Sequence, residues 1–275
     1  HCDGSSWKKL AILLKAWVIY CFLLLNGSVA VVHAHTSSRA SFWRKSLFMW
    51  PAILLGRPVI LHLHSGRFAI FYEEECGRFK KALVRALFNR CARVIVLSDT
   101  WRDWVNAMCS NKQVIAIYNP VILPAPVSWK DRTPGEVLSL GRLGRPKGSY
   151  DLVTALTKLE GAGCRMQLCL GGDGELEQVK AFAQQLGVGD AVHLLGWVMG
   201  VDKQHALAKA SVYALPSYNE GLPMSVLEAM ANGLPIVSTP IGGIPEAVTD
   251  GEEGFLIEPG DVTALTKALR SEEHT

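Results

Sequence analysis

The chain of 275 residues has no Cys-x-x-Cys pair. Its seven cysteines stand at 2, 21, 76, 91, 109, 164 and 169, and no group of cysteines and histidines has zinc-type spacing. That excludes a zinc ribbon or a disulfide framework, and the thiols are expected to be reduced and mostly buried as small hydrophobes, as in a cytosolic protein. Long apolar runs are also lacking. The longest, residues 10–25, counts 16 and carries Lys15 inside it, short of the ~20 that a spanning helix needs. Lys8 and Lys9 ahead of it would suit a signal peptide. The run leads instead, after Asn26-Gly27, into VAVVHAH, so a core helix feeding a buried strand is expected. Charged residues make up 19% and hydrophobic ones 49%, which excludes disorder.

The net charge of +3 hides an asymmetry. Residues 1–133 hold 18 Lys/Arg against 7 Asp/Glu, whereas 134–275 hold 10 against 18. A basic first half points to an anionic neighbour: nucleic acid, anionic lipid or a phosphorylated acceptor.

Short apolar runs alternate with helical stretches. Strands are expected at 29–35, 59–64, 94–98 and 114–118, then at 137–141, 166–171, 192–195, 212–216, 236–239 and 255–257. Helices are expected at 6–25, 38–55, 74–89 and 100–107, then at 150–159, 175–186, 202–210, 224–232 and 261–270. Continuously apolar strands between helices mean parallel sheets covered on both faces, an α/β doubly wound architecture. NPVILPAPVSWKDRTPG holds four prolines and reads as a linker over about 119–135. The expectation is two Rossmann-like doubly wound domains, 1–133 and 134–275, facing a cleft. The first half shows no leading strand and the second closes on one helix, so the chain is expected to be a fragment truncated at both ends.

One stretch asks for explanation: LPSYNEGLPMSVLEAMANGLPIVSTPIGGIPEAV, residues 215–248. Glu220 precedes a helix start and Glu228 lies inside that helix, about 7.5 Å along its axis. Pro223 is expected in the first turn, where a missing N–H costs nothing. Backbone N–H groups at Gly221, Leu222 and Met224 would then make an anion site at a positive helix end. Two carboxylates flanking a diphosphate-sized anion site suit a ligand with hydroxyls on both sides of its phosphates, and a nucleotide sugar has that layout.

This constellation resembles the Glu-x7-Glu motif of retaining glycosyltransferases of the GT-B fold, family 4. SLGRLGRPKG (139–148) is similar to that family's Gly-Arg-Leu…Lys-Gly signature, LCLGGDGE (168–175) to its Gly-rich loop at Gly172, and HLLGWV (193–198) to its base-contacting segment at Gly196 and Trp197. TPIGGIPEAVTDGEEGFLIEPGD (239–261) continues the likeness, which covers nearly all of 135–270.

The resemblance implies a hexosyltransferase-type enzyme that moves a sugar from a nucleoside-diphosphate sugar to a glycan or lipid-linked acceptor. In it Arg142 and Lys147 grip the donor diphosphate, Gly221 and Leu222 close the anion site, Glu228 binds ribose hydroxyls and Glu220 the transferred sugar. ILHLHSG (60–66) resembles the family's strand that presents a histidine to that sugar, here His64. His62 is expected on the opposite face. His33 and His35 end another strand, near the acceptor. Ser98 and Asn119 resemble strand ends that line the cleft.

No cofactor and no metal are implied: protein cations serve the leaving phosphate, and no Asp-x-Asp motif is present. Nucleic acid is not among the implied partners. A cytoplasmic location is implied, with peripheral contact at an anionic membrane, for which the aromatic and basic helix SFWRKSLFMW (41–50) is a candidate. Competing readings are a sugar-nucleotide epimerase of the same fold, an inactive nucleotide-binding fragment, and a nicotinamide-dependent dehydrogenase. The last requires Gly-x-Gly-x-x-Gly, and Glu177 stands where its third glycine would fall.

Overall fold

The computed structural model describes residues 6–272. By its contacts the chain divides into two compact units, His1–Tyr118 and Asn119–Thr275. The proline-bearing stretch 119–135 therefore groups with the second unit.

In the first unit, helix α1 (Ser6–Leu25) precedes β1 (Val32–Thr36), α2 (Ala40–Leu54) and β2 (Val59–Leu63). A short α3 (Phe68–Ile70) then runs into a π turn over Phe71–Glu75, followed by α4 (Arg78–Arg90), β3 (Arg93–Val96), α5 (Asp99–Met108) and β4 (Val114–Ala116). The strands lie parallel in chain order. Val59, Leu61 and Leu63 of β2 are buried while Ile60 and His62 are half-buried, the two-residue period of a strand with unequal faces. Phe68 meets Phe42 and Phe71 edge-on and Phe88 at a tilt in the core.

Three expectations are corrected here. The aromatic face of the 41–50 helix is not offered to a membrane: Phe42 and Met49 are fully buried, and Trp43 and Trp50 pack partly buried against the same core. It is α1 that leaves large apolar side chains exposed, Trp7, Ile12, Val18 and Phe22 among them. Ser98 is fully buried and caps α5 by accepting the Trp101 N–H, so it does not line an open surface. His62 and His64 share a face, with ring centroids 4.0 Å apart. Residues two apart on a strand point the same way, and only the intervening Leu63 turns to the core.

The second unit runs β5 (Glu136–Leu140), α6 (Ser149–Gly161), β6 (Gln167–Gly171), α7 (Leu176–Gln185), β7 (Val192–Gly196) and α8 (Gly200–Lys209). It continues with β8 (Val212–Leu215), α9 (Met224–Ala231), β9 (Ile236–Ser238), β10 (Gly254–Leu256) and α10 (Val262–Glu272). The sheet order is β10-β9-β8-β5-β6-β7, all parallel. Successive residues feed two cores, one on each face. Val137, Leu168, Val212 and Val237 pack on one side; Leu138, Cys169, Tyr213 and Ile236 pack on the other. This is why the central strands read as unbroken apolar runs. The chain starts at β5, builds outward through β6 and β7, then returns to β8 and builds the other way. The order thus reverses between β5 and β8, the crevice where ligands bind in such sheets.

Candidate donor-nucleotide site

A cavity of about 480 Å³ lies at the carboxyl ends of β5, β6 and β8, within the size range of small-molecule sites. Leu140, Gly141 and Arg142 line it from the end of β5, and Gly171 and Gly172 from the end of β6. Lys147, Trp197, Lys203, Glu220, Pro223, Ser225 and Glu228 also reach it. The floor between the first two strands is bare backbone. At Gly172, φ is +151° and a Cβ would stand 1.7 Å from the Gly141 carbonyl oxygen, so any side chain would push the two strand ends apart.

The charges are arranged in pairs. Lys147 Nζ lies 2.5 Å from Glu220 Oε1, and Ser217 Oγ donates to the same oxygen at 2.8 Å. Glu220 is only 7% exposed, so its carboxylate depends on these two donors. Lys203 Nζ lies 2.6 Å from Glu228 Oε1, both partly buried. Arg142 differs: its side chain is 77% exposed and its ion pair to Asp173 spans 4.0 Å. Its planar fork is therefore available to an incoming anion. Three cations face two carboxylates, and the positive end of α9, at Pro223–Ser225, adds to the anion preference.

Arg142, Lys147, Gly172, Trp197, Glu220 and Glu228, all expected from the sequence, thus share one cavity. Gly196, Gly221 and Leu222 stand beside it rather than lining it. The Gly196 carbonyl accepts the Gly172 N–H, and the Gly221 carbonyl accepts the Gly243 N–H. Leu222 is buried, and its carbonyl accepts Asn119 Nδ2 at 2.7 Å. Asn119 therefore braces the approach to α9. Pro223 sits at the N-cap with extended backbone, one position before the helix instead of in its first turn; its carbonyl accepts the Val226 N–H.

The Gly242-Gly243 pair has a local cause. Gly242 adopts φ +61°, and a Cβ there would lie 2.3 Å from the Glu220 carbonyl oxygen and 2.5 Å from that of Gly221. The loop after β9 presses backbone to backbone on the segment that presents Glu220.

Lys203 was not singled out from the sequence. A lysine in the first turn of a surface helix looks solvated; the only signal was its place directly after the HLLGWV strand and loop.

His64 belongs to the first unit. Its Nε2 is 2.8 Å from His35 Nδ1, and its pKa is lowered by burial and then by the neighbouring His35. Burial, with His64, His35 and His33 beside it, lowers His62 to about 4. Both ring nitrogens of His62 are shielded from solvent and lack a hydrogen-bond partner, a cost of about 1–3 kcal/mol for a buried polar group.

Two parallel-sheet α/β units of this kind define the GT-B fold, in which each domain is Rossmann-like. The chain belongs to the glycosyl transferases group 1: that family's model matches residues 126–274, and the Glycosyltransferase Family 4 model matches 6–123. It is 30% identical over 199 residues to the putative colanic acid biosynthesis glycosyltransferase WcaL of Escherichia coli K12, covering 66% of this chain and 48% of that protein. It is 29% identical over 262 residues to the phosphatidyl-myo-inositol mannosyltransferase of Mycobacterium leprae, covering 90% and 64%. Among solved structures, Anabaena HepE in complex with UDP-glucose superposes with a TM-score of 0.76 at 21% identity, over 94% of this chain and 71% of that one. The chain spans about half the length of the first curated relatives it matches. Among the described residues no helix is long and apolar enough to cross a membrane.

Proposed function

We propose that the second unit binds the nucleoside-diphosphate sugar of a retaining glycosyltransferase, which moves the sugar to a hydroxyl acceptor in cell-surface polysaccharide or glycolipid assembly. The observation that carries this reading is the cavity at the strand-order reversal, where Arg142, Lys147 and Lys203 stand among two carboxylates. A diphosphate entering there meets the exposed Arg142 guanidinium first. Lys147 and Lys203 can then share their charge between carboxylate and phosphate. Glu228 accepts from ribose hydroxyls and Glu220 from hydroxyls of the transferred sugar. The indole of Trp197, 68% exposed at the cavity wall, offers a face to the base.

In the reaction the bond from sugar C1 to the leaving phosphate oxygen breaks. The acceptor oxygen bonds C1 from the same face, and its proton passes to the leaving phosphate. Negative charge grows on that phosphate in the transition state, and Arg142, Lys147 and the α9 terminus stabilise it electrostatically. In this reading no metal is required and His64 is the residue that meets the sugar. The relatives named above, a putative colanic acid biosynthesis glycosyltransferase and a phosphatidyl-myo-inositol mannosyltransferase, support a glycan or lipid-linked acceptor. The basic first half suits contact with an anionic membrane surface on the cytoplasmic side.

The test is turnover of a panel of UDP-, GDP- and ADP-sugars, with product anomers read by proton NMR. One α-linked donor is expected to give an α-linked product. Arg142→Ala is expected to lower nucleoside-diphosphate release by about 10²-fold or more. A β-linked product would sink the retaining mechanism, and unchanged release in Arg142→Ala would sink the phosphate role.

A further inference from the structure

β1 and β2 of the first unit pair in parallel, with His35 directly opposite His62. His33 stands two residues before His35, so all three imidazoles rise from one face of the sheet. Ring centroids are 4.4 Å apart for His33 and His35, 5.5 Å for His33 and His62, and 4.9 Å for His35 and His62. One ring nitrogen from each of the three lies within 4.8 Å of the other two. Such a group has little to gain from stacking alone, because the nitrogens of His62 are buried and bond to nothing. The lone pair of that imidazole calls for a donor or a Lewis acid, and among the described residues no protein group supplies one.

We propose that His33, His35 and His62 bind a divalent transition metal, Zn²⁺ foremost, with His64 orienting His35. Neutral imidazole nitrogens suit Zn²⁺, Cu²⁺ and Ni²⁺, whereas Mg²⁺ and Ca²⁺ prefer oxygen. At a Zn–N length of about 2.0–2.1 Å, tetrahedral ligand atoms stand roughly 3.3 Å apart. The pairing of β1 with β2 holds the backbones of His35 and His62 side by side. The 2.8 Å contact between His35 Nδ1 and His64 Nε2 supplies the outer support. With the Nδ1–H of His35 donating to His64, Nε2 of His35 keeps its lone pair for the metal. Metal-binding histidines characteristically make a bond of this kind through the other ring nitrogen. Three ligands leave one coordination position for water or a bound group. The ammonium of Lys45 donates to the backbone carbonyl of His35. The three ligands all belong to the first unit, and His64 is the one residue shared with the sugar-binding role proposed above. A bound ion would tie β1 to β2.

The experiment is calorimetric titration of Zn²⁺ into the chelator-stripped chain, with Co²⁺ absorption as a spectroscopic reporter. About one equivalent is expected to bind with micromolar or tighter affinity, and to raise the melting temperature. His33→Gln, an exposed substitution that spares the core, is expected to weaken binding at least tenfold. His62→Ala is expected to do the same, with its fold checked by circular dichroism. Co²⁺ is expected to give the intense visible band of a tetrahedral site in the parent chain and not in His33→Gln. No saturable Zn²⁺ binding, or binding that His33→Gln weakens less than tenfold, would overturn the proposal.

Discussion

Glu220 and Gly242 show how the site is held at the scale of single residues. Glu220 is an almost fully buried carboxylate whose partners are one lysine and one serine. Its backbone is clamped by the Gly242 loop, where a Cβ would strike the Glu220 carbonyl at 2.3 Å. Gly251 has a similar backbone, φ +83°, with nothing within 4 Å of its missing Cβ. The two glycines separate the cost of left-handed backbone from the cost of lost space. Gly251→Ala is expected to destabilise by about 1 kcal/mol, the backbone cost alone. Gly242→Ala is expected to cost roughly 2–4 kcal/mol, because overpacking is added. Urea unfolding of both variants measures the difference; equal losses would mean that the Gly242 loop moves aside freely. The need for glycine at 242 was not legible in the sequence, because the clash involves a backbone carbonyl more than twenty residues earlier. The histidines went the other way. Both His-x-His pairs were visible, but His62 was assigned to the wrong face, and the pairing of β1 with β2 that gathers them is a long-range fact.

At the scale of elements, one side chain from the proline-bearing stretch fastens two helices. Arg132 is buried, and its guanidinium donates to the carbonyls of Leu207 and Ala210 at the end of α8 and of Asn232 at the end of α9. A cation at two helix C-termini is doubly placed, by hydrogen bonding and by the helix dipole. It also explains why 119–135 groups with the second unit. Arg132→Met is expected to cost about 3 kcal/mol, by leaving buried carbonyls unpaired. Arg132→Lys is expected to restore less than half, since one ammonium cannot reproduce the fork. Denaturant titration of both variants is the check, and a loss below about 1 kcal/mol in Arg132→Met would contradict the fastening role. The ten strands were legible because each is a short apolar run between helix signals, and their observed bounds shift by only a few residues. The π turn at Phe71–Glu75 was not, since an apolar run passing straight into three glutamates has no clear period. Lys203 was illegible for another reason: only the return of the chain from β7 to β8 brings α8 over Glu228.

For the whole molecule, net charge and topology point to different places for an anion. The first 133 residues carry the excess of Lys/Arg, yet the proposed phosphate site lies in the acidic second half. Net charge therefore does not locate it. The reversal of strand order between β5 and β8 does, together with Arg142 at its edge. The most direct measurement is isothermal titration of UDP, GDP and ADP into the 275-residue chain, beside Arg142→Ala and Glu228→Ala. One diphosphate is expected to bind with a dissociation constant below about 1 mM, and each variant to weaken it at least tenfold, about 1.4 kcal/mol. Arg142→Ala is expected to act on all three nucleotides alike, because it meets phosphate and not base. Failure of all three to bind at about 1 mM, or variants that bind as the parent does, would contradict a donor site in this cavity.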